Sequence, residues 1–255
     1  MPKSHKRARS GQIIVVSALI IALIMTSTAA YIYELSGNVG EADNSQALND
    51  FVRSIVLGSK HVAIGALANI TNGGQNQTLT ANLNKWKVAV EQQFLLGTFS
   101  LNFTLRDIVP YSSGLYVNWG TNGSGVSGAY VGFLLKVSGK GIEMQYPYSI
   151  NASTRLCIDG FITQITSETK QVMLYCHLLS EEQPALAKNV TVYYRESTNW
   201  MTPDATNNYT LTDYGNGTYE ATFTLETSAT SIDVSAHIFD ERDIVVQANA
   251  TLTQQ

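Results

Sequence analysis

A chain of 255 residues is long enough to bury the core of one large domain or two small ones. Only 14% of its residues are charged, against roughly 25% in an average soluble domain, whereas hydrophobic residues make up an ordinary 44%. Ser and Thr together number 47 and Asn 18, so hydroxyl and amide groups supply much of the polar surface. This composition disfavours a conventional cytosolic enzyme.

The charge is divided unevenly along the chain. Residues 1–11 contain four Lys or Arg and no acid, which leaves 12 cations and 20 anions in the remainder. The formal net charge of −4 is therefore the sum of +4 and −8. An acidic body without a basic stripe argues against nucleic acid as a partner.

The N-terminus predicts a helix that spans a lipid membrane. Its basic leader precedes an uncharged, mostly apolar run of 21 residues from Ile13 to Tyr33, and at ~1.5 Å per residue this run matches the ~30 Å hydrocarbon core. The positive-inside rule keeps the leader cytoplasmic and puts the chain after Glu34 outside. The alternative is a secretory signal peptide cleaved near residues 28–30, although the run is longer than a usual signal core.

The segment Arg7–Val16, RARSGQIIVV, resembles the class III signal of archaeal pilin-like proteins, in which a basic leader and a Gly precede a Gln that opens the hydrophobic helix. The resemblance implies cleavage by a prepilin-type peptidase between Gly11 and Gln12. Residues 12–33 would then remain as the transmembrane helix. The resemblance also implies possible partners of the same kind, namely further copies of this chain or other pilin-like subunits.

Residues 34–100 predict a short helical region. Ser36–Gly40 interrupts the long helix that a filament-forming pilin continues, and Val16 stands where such pilins carry an early Glu, so the sequence favours membrane anchoring over filament assembly. Apolar residues at three- and four-residue spacing then predict two amphipathic helices, the first ending at Thr71–Gly74 and the second at Gly97. The apolar positions are Leu48, Phe51, Val52, Ile55, Val62 and Ala66 in the first helix, and Leu79, Leu83, Trp86, Val90 and Phe94 in the second.

Residues 101–184 predict an antiparallel β region, because the apolar period changes to two. Strands over 156–165 and 171–179 flank a probable hairpin turn at 166–170. If Thr166 and Ser167 centre that turn, Cys157 lies opposite Cys176, and an extracellular setting permits a cross-strand disulfide. The alternative is two buried thiols.

Residues 185–255 predict a small antiparallel sandwich of immunoglobulin-like architecture, because apolar and polar side chains alternate along its strands. Asn216–Gly217 is a strong signal for a type I′ hairpin turn. The runs DYGNGTY at 213–219 and FDERDIVV at 239–246 are similar to the C-terminal β-region of archaeal pilin-like and secreted surface proteins. The predicted fold class is therefore α+β: an N-terminal transmembrane helix, a short helical region, and an antiparallel β-domain ending in this sandwich.

Nine of the 18 Asn residues stand in Asn-x-Ser/Thr sequons, where chance predicts only about three. All nine follow the predicted membrane helix, as an oligosaccharyltransferase on the outer side requires. They predict N-glycosylation, which hydrates a weakly charged surface; the alternative is incidental occurrence in an Asn- and Thr-rich β-protein. The candidates are Asn69, Asn76, Asn102, Asn122, Asn151, Asn189, Asn208, Asn216 and Asn249.

The sequence contains no complete catalytic motif of the zinc-protease, nucleophile-elbow or phosphate-loop type. Close carboxylates at Asp240–Asp243 suit calcium, but a solvated charged turn with Arg242 as their partner is the favoured interpretation. No cofactor and no metal is predicted. Three aromatic residues are candidates to stack on sugars: Tyr111, Trp119 and Trp200. The three histidines after the leader are scattered: His61, His177 and His237.

These observations favour a structural role over catalysis. The leading hypothesis is a membrane-anchored, glycosylated, extracellular pilin-like protein that serves in assembly or adhesion. The alternative is a membrane-tethered extracellular module that binds a glycan or a small solute. An extracellular hydrolase is disfavoured, because no spacing suggests a pair of carboxylates in one cleft.

Overall fold

The computed structural model describes residues 24–28, 43–93, 98–139 and 142–254. The chain divides into two compact units, Met1–Leu57 and Gly58–Gln255. In the first unit, residues 24–28 are helical. The predicted membrane helix over 12–33 lies outside the described residues except for this short piece.

The two helices predicted from apolar spacing are present. Helix α1 (Asp43–Thr71) ends at Thr71, where Gly73 takes a φ of 93° that closes the turn. Helix α2 (Thr78–Gln93) follows directly. The second unit buries the apolar positions Ala63, Ala66, Leu67 and Ile70 of α1 and Leu79, Leu83 and Val90 of α2.

Twelve strands among the described residues form two sheets of antiparallel neighbours, which confirms an α+β fold with sandwich-like facing sheets. The large sheet has the order β1-β3-β4-β5-β10-β9, with β2 also beside β3 and β6 beside β5, and the small sheet has the order β12-β11-β7-β8. The strands are β1 (Thr98–Leu105), β2 (Leu115–Trp119), β3 (Ser124–Gly139), β4 (Ile142–Gln164), β5 (Thr169–Ser180), β6 (Gln183–Pro184), β7 (Ala187–Glu196), β8 (Asn199–Met201), β9 (Thr210–Asp213), β10 (Thr218–Glu226), β11 (Ser231–Asp240) and β12 (Val245–Thr253).

The main core lies between the two sheets. The large sheet contributes wholly buried residues such as Leu156, Leu174 and Phe223, and the small sheet contributes Val234 and Ile238. Burial alternates along β10 and along β5, so one face of each strand is apolar and the other is partly wet. We call the face of each sheet that points away from this core its outer face.

The predicted boundary between 101–184 and 185–255 does not separate two sheets. Strands β9 and β10 extend the large sheet through β5, whereas β7, β8, β11 and β12 form the small one. Residues 185–255 therefore complete a sandwich whose other sheet includes β3, β4 and β5, and they do not form one by themselves. Alternation in a sequence indicates which face of a strand is buried, but it does not identify the neighbouring strand.

A second group of buried residues lies where the helices meet β1, β3 and the first half of β4. Trp86 of α2 donates to the Ser59 hydroxyl (3.0 Å), which is 2.9 Å from the Tyr148 hydroxyl on β4. Gly58 makes this possible, because a Cβ there would lie 2.4 Å from the Trp86 ring. The Glu91 carboxylate accepts from the backbone N–H of Leu101 (3.0 Å), which fixes α2 to β1.

The turn between β9 and β10 differs from the predicted type I′ turn. Register pairing resumes at Asp213 and Tyr219, and the residues between them form a longer loop. Positive φ values occur at Gly215 and Gly217 but not at Asn216. Since a type I′ turn needs two consecutive residues with positive φ, the flanking glycines instead take this conformation with the least steric cost.

Candidate functional site

The predicted signal cleavage site, Gly11 and Gln12, lies outside the described residues. One helix in the described part of the chain, Leu48–Thr71, is long and apolar enough to cross a membrane. Its residues Ala63, Ala66 and Leu67 are wholly buried within the second unit. The core helix of a folded domain satisfies the same length and composition test.

The sequon asparagines form the most extensive candidate site. Eight of the nine are exposed, and Asn249 is half-buried. They are spread over α1, the α1–α2 turn, both sheets and their loops, so no single element accounts for their exposure. The residues at which the sequence predicts attachment are therefore at the surface.

Four of the sequon side chains are held by their carbonyl oxygen. An N-linked glycan attaches to Nδ2, so a hydrogen bond that uses Oδ1 orients the amide without occupying the attachment atom. This arrangement is compatible with modification of a folded side chain. The four contacts to Oδ1 are Lys87 Nζ to Asn102 (3.1 Å), Tyr111 Oη to Asn151 (3.2 Å), the Thr218 backbone N to Asn216 (3.0 Å) and Gln247 Nε2 to Asn249 (3.4 Å).

Several sequons lie on or beside strands at the edges of the sheets. Asn102 is on β1, Asn208 and Asn216 flank β9, and Asn122 lies in the loop between β2 and β3. Asn249 is on β12, but its backbone N–H and C=O are already paired with Gly120 and Gly123 of that loop. Exposed edge strands offer unpaired backbone groups to other chains, and bulky groups there hinder such pairing.

The predicted disulfide between Cys157 and Cys176 is wrong, because both cysteines are free. Beyond the last paired residues of β4 and β5, Gln164 and Lys170, the turn is closed by Ile165 N and Thr166 N, which both donate to the carbonyl of Thr169. The loop is thus centred on Ser167 and not between Thr166 and Ser167. This slip of the register by one residue puts Cys157 opposite His177 and sends the two cysteine side chains to opposite faces.

The two thiols therefore have different surroundings. Cys176 is wholly buried between the sheets, where burial raises the pKa of its thiol to about 12. Cys157 is on the outer face and partly exposed. His177, its cross-strand neighbour, has Nδ1 3.2 Å from the Thr218 hydroxyl. The sequence correctly predicts that the side chains of Cys176 and His177 point to opposite faces of the sheet, but it does not predict that Cys157 and His177 are cross-strand neighbours.

The charged turn between β11 and β12 is organised around Arg242, its predicted partner, but the prediction of a solvated turn is wrong for Asp240, which is buried. The guanidinium donates to the buried Asp240 carboxylate and, at 2.5 Å, to Glu181 at the end of β5. It also donates, each at 2.9 Å, to Ser153 O, Thr154 Oγ1 and Ser180 Oγ. Within the described ranges no group of three or more His, Cys, Asp or Glu is placed to hold a metal ion. Arg242 therefore joins this turn to β4 and to the end of β5 through ion pairs and hydrogen bonds.

The remaining candidates do not converge on a catalytic site. His61 is exposed on α1, and His237 packs on the outer face of the small sheet with its ring 4.6 Å from that of Tyr193. Burial lowers the pKa of His237. Trp119 donates to the Ser127 hydroxyl (3.1 Å), and Trp200 is 45% exposed on β8.

Tyr111 has a more specific setting than the other predicted aromatic candidates. Its ring meets those of Tyr116 and Tyr130 edge-on, with centroids 6.0 and 5.8 Å away, and the Arg106 guanidinium lies above Tyr130. Nothing in the local sequence indicated Arg106, because the three rings come from a loop and two different strands.

Comparison with known proteins assigns no relative. No family model matches the chain, and no curated protein sequence matches it.

Proposed function

We propose that this chain is a membrane-anchored, N-glycosylated, extracellular protein of pilin-like type, whose β-domain serves in assembly or adhesion. The observation that carries the proposal is the exposure of eight of the nine sequon asparagines. With nine sequons where about three are expected by chance, their surface position is what a glycosylated domain requires.

Glycosylation also explains how an outer domain with few ionic groups stays hydrated. Sugars attached on β1 and at the ends of β9 would add polar bulk at the edges of the large sheet. Assembly would then use surfaces between the glycans, and uncontrolled pairing of sheet edges would be hindered.

The proposed anchor is residues 12–33, left in place after cleavage between Gly11 and Gln12. Helix α1 is not the proposed anchor, because its second half contributes wholly buried residues to the β-domain. This half also makes polar contacts there, since the Thr71 hydroxyl accepts from the backbone N–H of Val245 (3.0 Å).

Glycosylation is tested by expressing the full chain in a host that has an N-oligosaccharyltransferase and mapping glycopeptides by mass spectrometry. We expect glycan mass on exposed sequons, Asn216 included, and loss of one glycan with Asn216→Gln. Asn84→Gln is the matched control, because Asn84 is exposed but outside any sequon. An unmodified chain from a host that glycosylates its own proteins would refute this part of the proposal.

Processing is tested by N-terminal sequencing of the membrane fraction. A mature N-terminus at Gln12, abolished by Gly11→Val, is expected from a prepilin-type peptidase. An N-terminus near Tyr31 with the protein in the soluble fraction would mean a cleaved secretory signal, and it would refute both anchor and filament.

A binding module tethered at the membrane is the second candidate function, favoured by the tyrosine cluster beside Arg106. It predicts saturable binding of a ligand by the isolated chain without self-association. Polymerisation without ligand binding would favour the structural role.

A further inference from the structure

Arg106 is held in place by both its backbone and its side chain. Its N–H donates to Tyr130 O (3.3 Å), and its carbonyl accepts from Gly114 N (2.8 Å). The guanidinium carbon lies 4.6 Å from the centre of the Tyr130 ring and 5.9 Å from that of Tyr111. Stacking uses the flat face of a guanidinium, so the N–H groups at its edge that do not bond to Tyr130 can donate to a ligand.

No acidic side chain neutralises this guanidinium among the ion pairs of the described residues. The adjacent Asp107 is engaged elsewhere, since its carboxylate accepts from the backbone N–H of Ser113 (3.1 Å). Hydrogen bonds of the Tyr130 side chain with Ser149 and with Arg106, together with the Arg106 charge, lower the pKa of Tyr130, although burial acts in the opposite direction. Arg106 is thus an exposed cation at a fixed position on an acidic domain.

The rings around Arg106 are also fixed. The Tyr111 hydroxyl donates to Asn151 Oδ1 (3.2 Å), and Asn118 Nδ2 donates to the Tyr116 hydroxyl (3.4 Å). Each ring is therefore tied at its polar end while its edge meets another ring. A rigid aromatic group loses little conformational entropy when a ligand packs on it.

Two glycines of β3 lie beside these rings. Gly128 lies opposite Tyr116 in the register, and Gly132 is on the same outer face of β3 as Tyr130. A Cβ added at either glycine would meet nothing closer than 3.7 Å. At Gly128 one of these contacts is the Tyr111 hydroxyl, so the absence of a side chain at this buried glycine lets Tyr111 lie close to the sheet, whereas Gly132 is partly exposed.

We propose that the Arg106 cluster, defined as Arg106, Tyr111, Tyr116 and Tyr130, binds a saccharide that carries a carboxylate. The guanidinium edge matches a carboxylate with two parallel N–H···O bonds. Tyrosine rings offer an apolar surface for the C–H face of a sugar, and their hydroxyls with the neighbouring amides suit its hydroxyl groups. A single cation on a domain of net charge −8 selects one negative group and disfavours a polyanion.

Two sources of this saccharide are possible, and they share the same chemistry. Asn151 lies opposite Tyr130 in the register and uses Oδ1 toward Tyr111, so a glycan on its Nδ2 begins at the margin of the cluster. The other source is a free saccharide or one borne by another surface. Ser153→Ala separates the two sources, because it removes the sequon and retains the Asn151 side chain that contacts Tyr111.

The first test uses the full chain in detergent, made in a host without N-glycosylation, with sialyllactose, a trisaccharide that carries one carboxylate, as the probe in titration calorimetry. We expect saturable binding that weakens at least tenfold with Arg106→Gln and also with Arg106→Lys. The lysine variant keeps the positive charge but lacks the two parallel N–H donors of the guanidinium. Lys136→Gln removes another exposed cation from β3 and is expected to change nothing. Maltotriose, which has no carboxylate, is expected to bind at least tenfold more weakly.

The second test repeats the titration on the glycosylated chain. Binding that is absent there and restored by Ser153→Ala identifies the Asn151 glycan as the occupant, whereas unchanged binding identifies a free saccharide; both results support the site. Three results overturn it: no binding by the unglycosylated chain, equal binding by the Arg106 variants with native circular dichroism, or equal binding of tri-glutamate. Because the first test needs neither glycan nor processed N-terminus, its failure is separate from failure of the proposed function.

Discussion

Replacing Arg242 with Met is expected to lower the free energy of unfolding by about 3 kcal/mol. The guanidinium is the cation that faces Asp240, whose side chain is only 1% exposed. Without Arg242 that carboxylate would stay buried and unpaired. The change would also break the link from the β11–β12 turn to the middle of β4 and to Glu181, which directly follows β5.

The magnitude depends on the hydrogen bonds that the Asp240 carboxylate would retain without the Arg242 side chain. Removing one partner of a buried ion pair costs roughly 3–5 kcal/mol. Asp240 still accepts from the Thr154 hydroxyl (2.7 Å) and from the backbone N–H groups of residues 242 and 244, so the cost lies at the lower end. At about 2–4 °C per kcal/mol for a domain of this size, Tm would fall by roughly 6–12 °C.

The assay is urea unfolding of the full chain followed by circular dichroism, with Arg155→Met as the matched control. Arg155 pairs with Glu182 at 3.4 Å, but both side chains are exposed, so its loss is expected to cost less than about 1 kcal/mol. In the Arg242→Met background, Asp240→Asn should recover about 1 kcal/mol or more, since it removes the unpaired charge. Equal losses for Arg242→Met and Arg155→Met would refute the reasoning.

Three further changes test the packing. Gly125→Ala should lower the free energy of unfolding by about 3 kcal/mol, because its Cβ would lie 1.9 Å from a backbone oxygen of β12. Gly65→Ala on α1 should instead raise it by about 0.5–1 kcal/mol, because its Cβ would meet nothing within 4 Å. Urea unfolding that ranks the two variants the other way would contradict this. The pKa of Cys176 is about 12 and that of an ordinary thiol is 9.0, so the thiolate fraction of Cys176 at pH 8 is roughly a thousandfold lower than that of an ordinary thiol. Iodoacetamide should therefore label only Cys157 until urea is added. Labelling of Cys176 in the folded chain would count against its burial. Burial holds the pKa of His237 below 6.5, so the contribution of its neutral form to the free energy of unfolding is present above pH 6.5 and is lost on acidification. The free energy of unfolding should therefore fall less between pH 7 and pH 5 in His237→Gln than in the unaltered chain. Parallel curves of unfolding free energy against pH for the two proteins would exclude this cause.

Local patterns in the sequence predict the elements and their buried faces well. The spacing of Leu79, Leu83 and Val90 gives one side of α2, and all three are buried. Alternation along β10 gives Tyr219, Ala221 and Phe223 as its buried face. Such patterns depend on periodicity within a single element, which is written in consecutive residues.

Register and partner strands are harder to predict, because they depend on turn geometry and on contacts between distant segments. The connection between β4 and β5 is centred on Ser167 and not between Thr166 and Ser167, and this difference moves Cys157 opposite His177 instead of Cys176. Similarly, no local pattern brings Arg106 beside Tyr130, since their contact needs the pairing of β1 with β3. The exposed asparagines were predictable because a sequon is a local motif in a polar segment.

Strand β4 is long enough to belong to both buried regions of the second unit. It pairs with β3 from Ile142 to Cys157 and with β5 from Thr154 to Gln164, so one continuous backbone runs from the helices to the sandwich core. If the chain is the anchored surface protein proposed above, a force on the β-domain directed away from the anchor would act on such a strand. A force along β4 would load its hydrogen bonds to β3 and to β5 in shear, so that many of them would have to break together. Strand β4 would therefore be the element that resists extension of the domain.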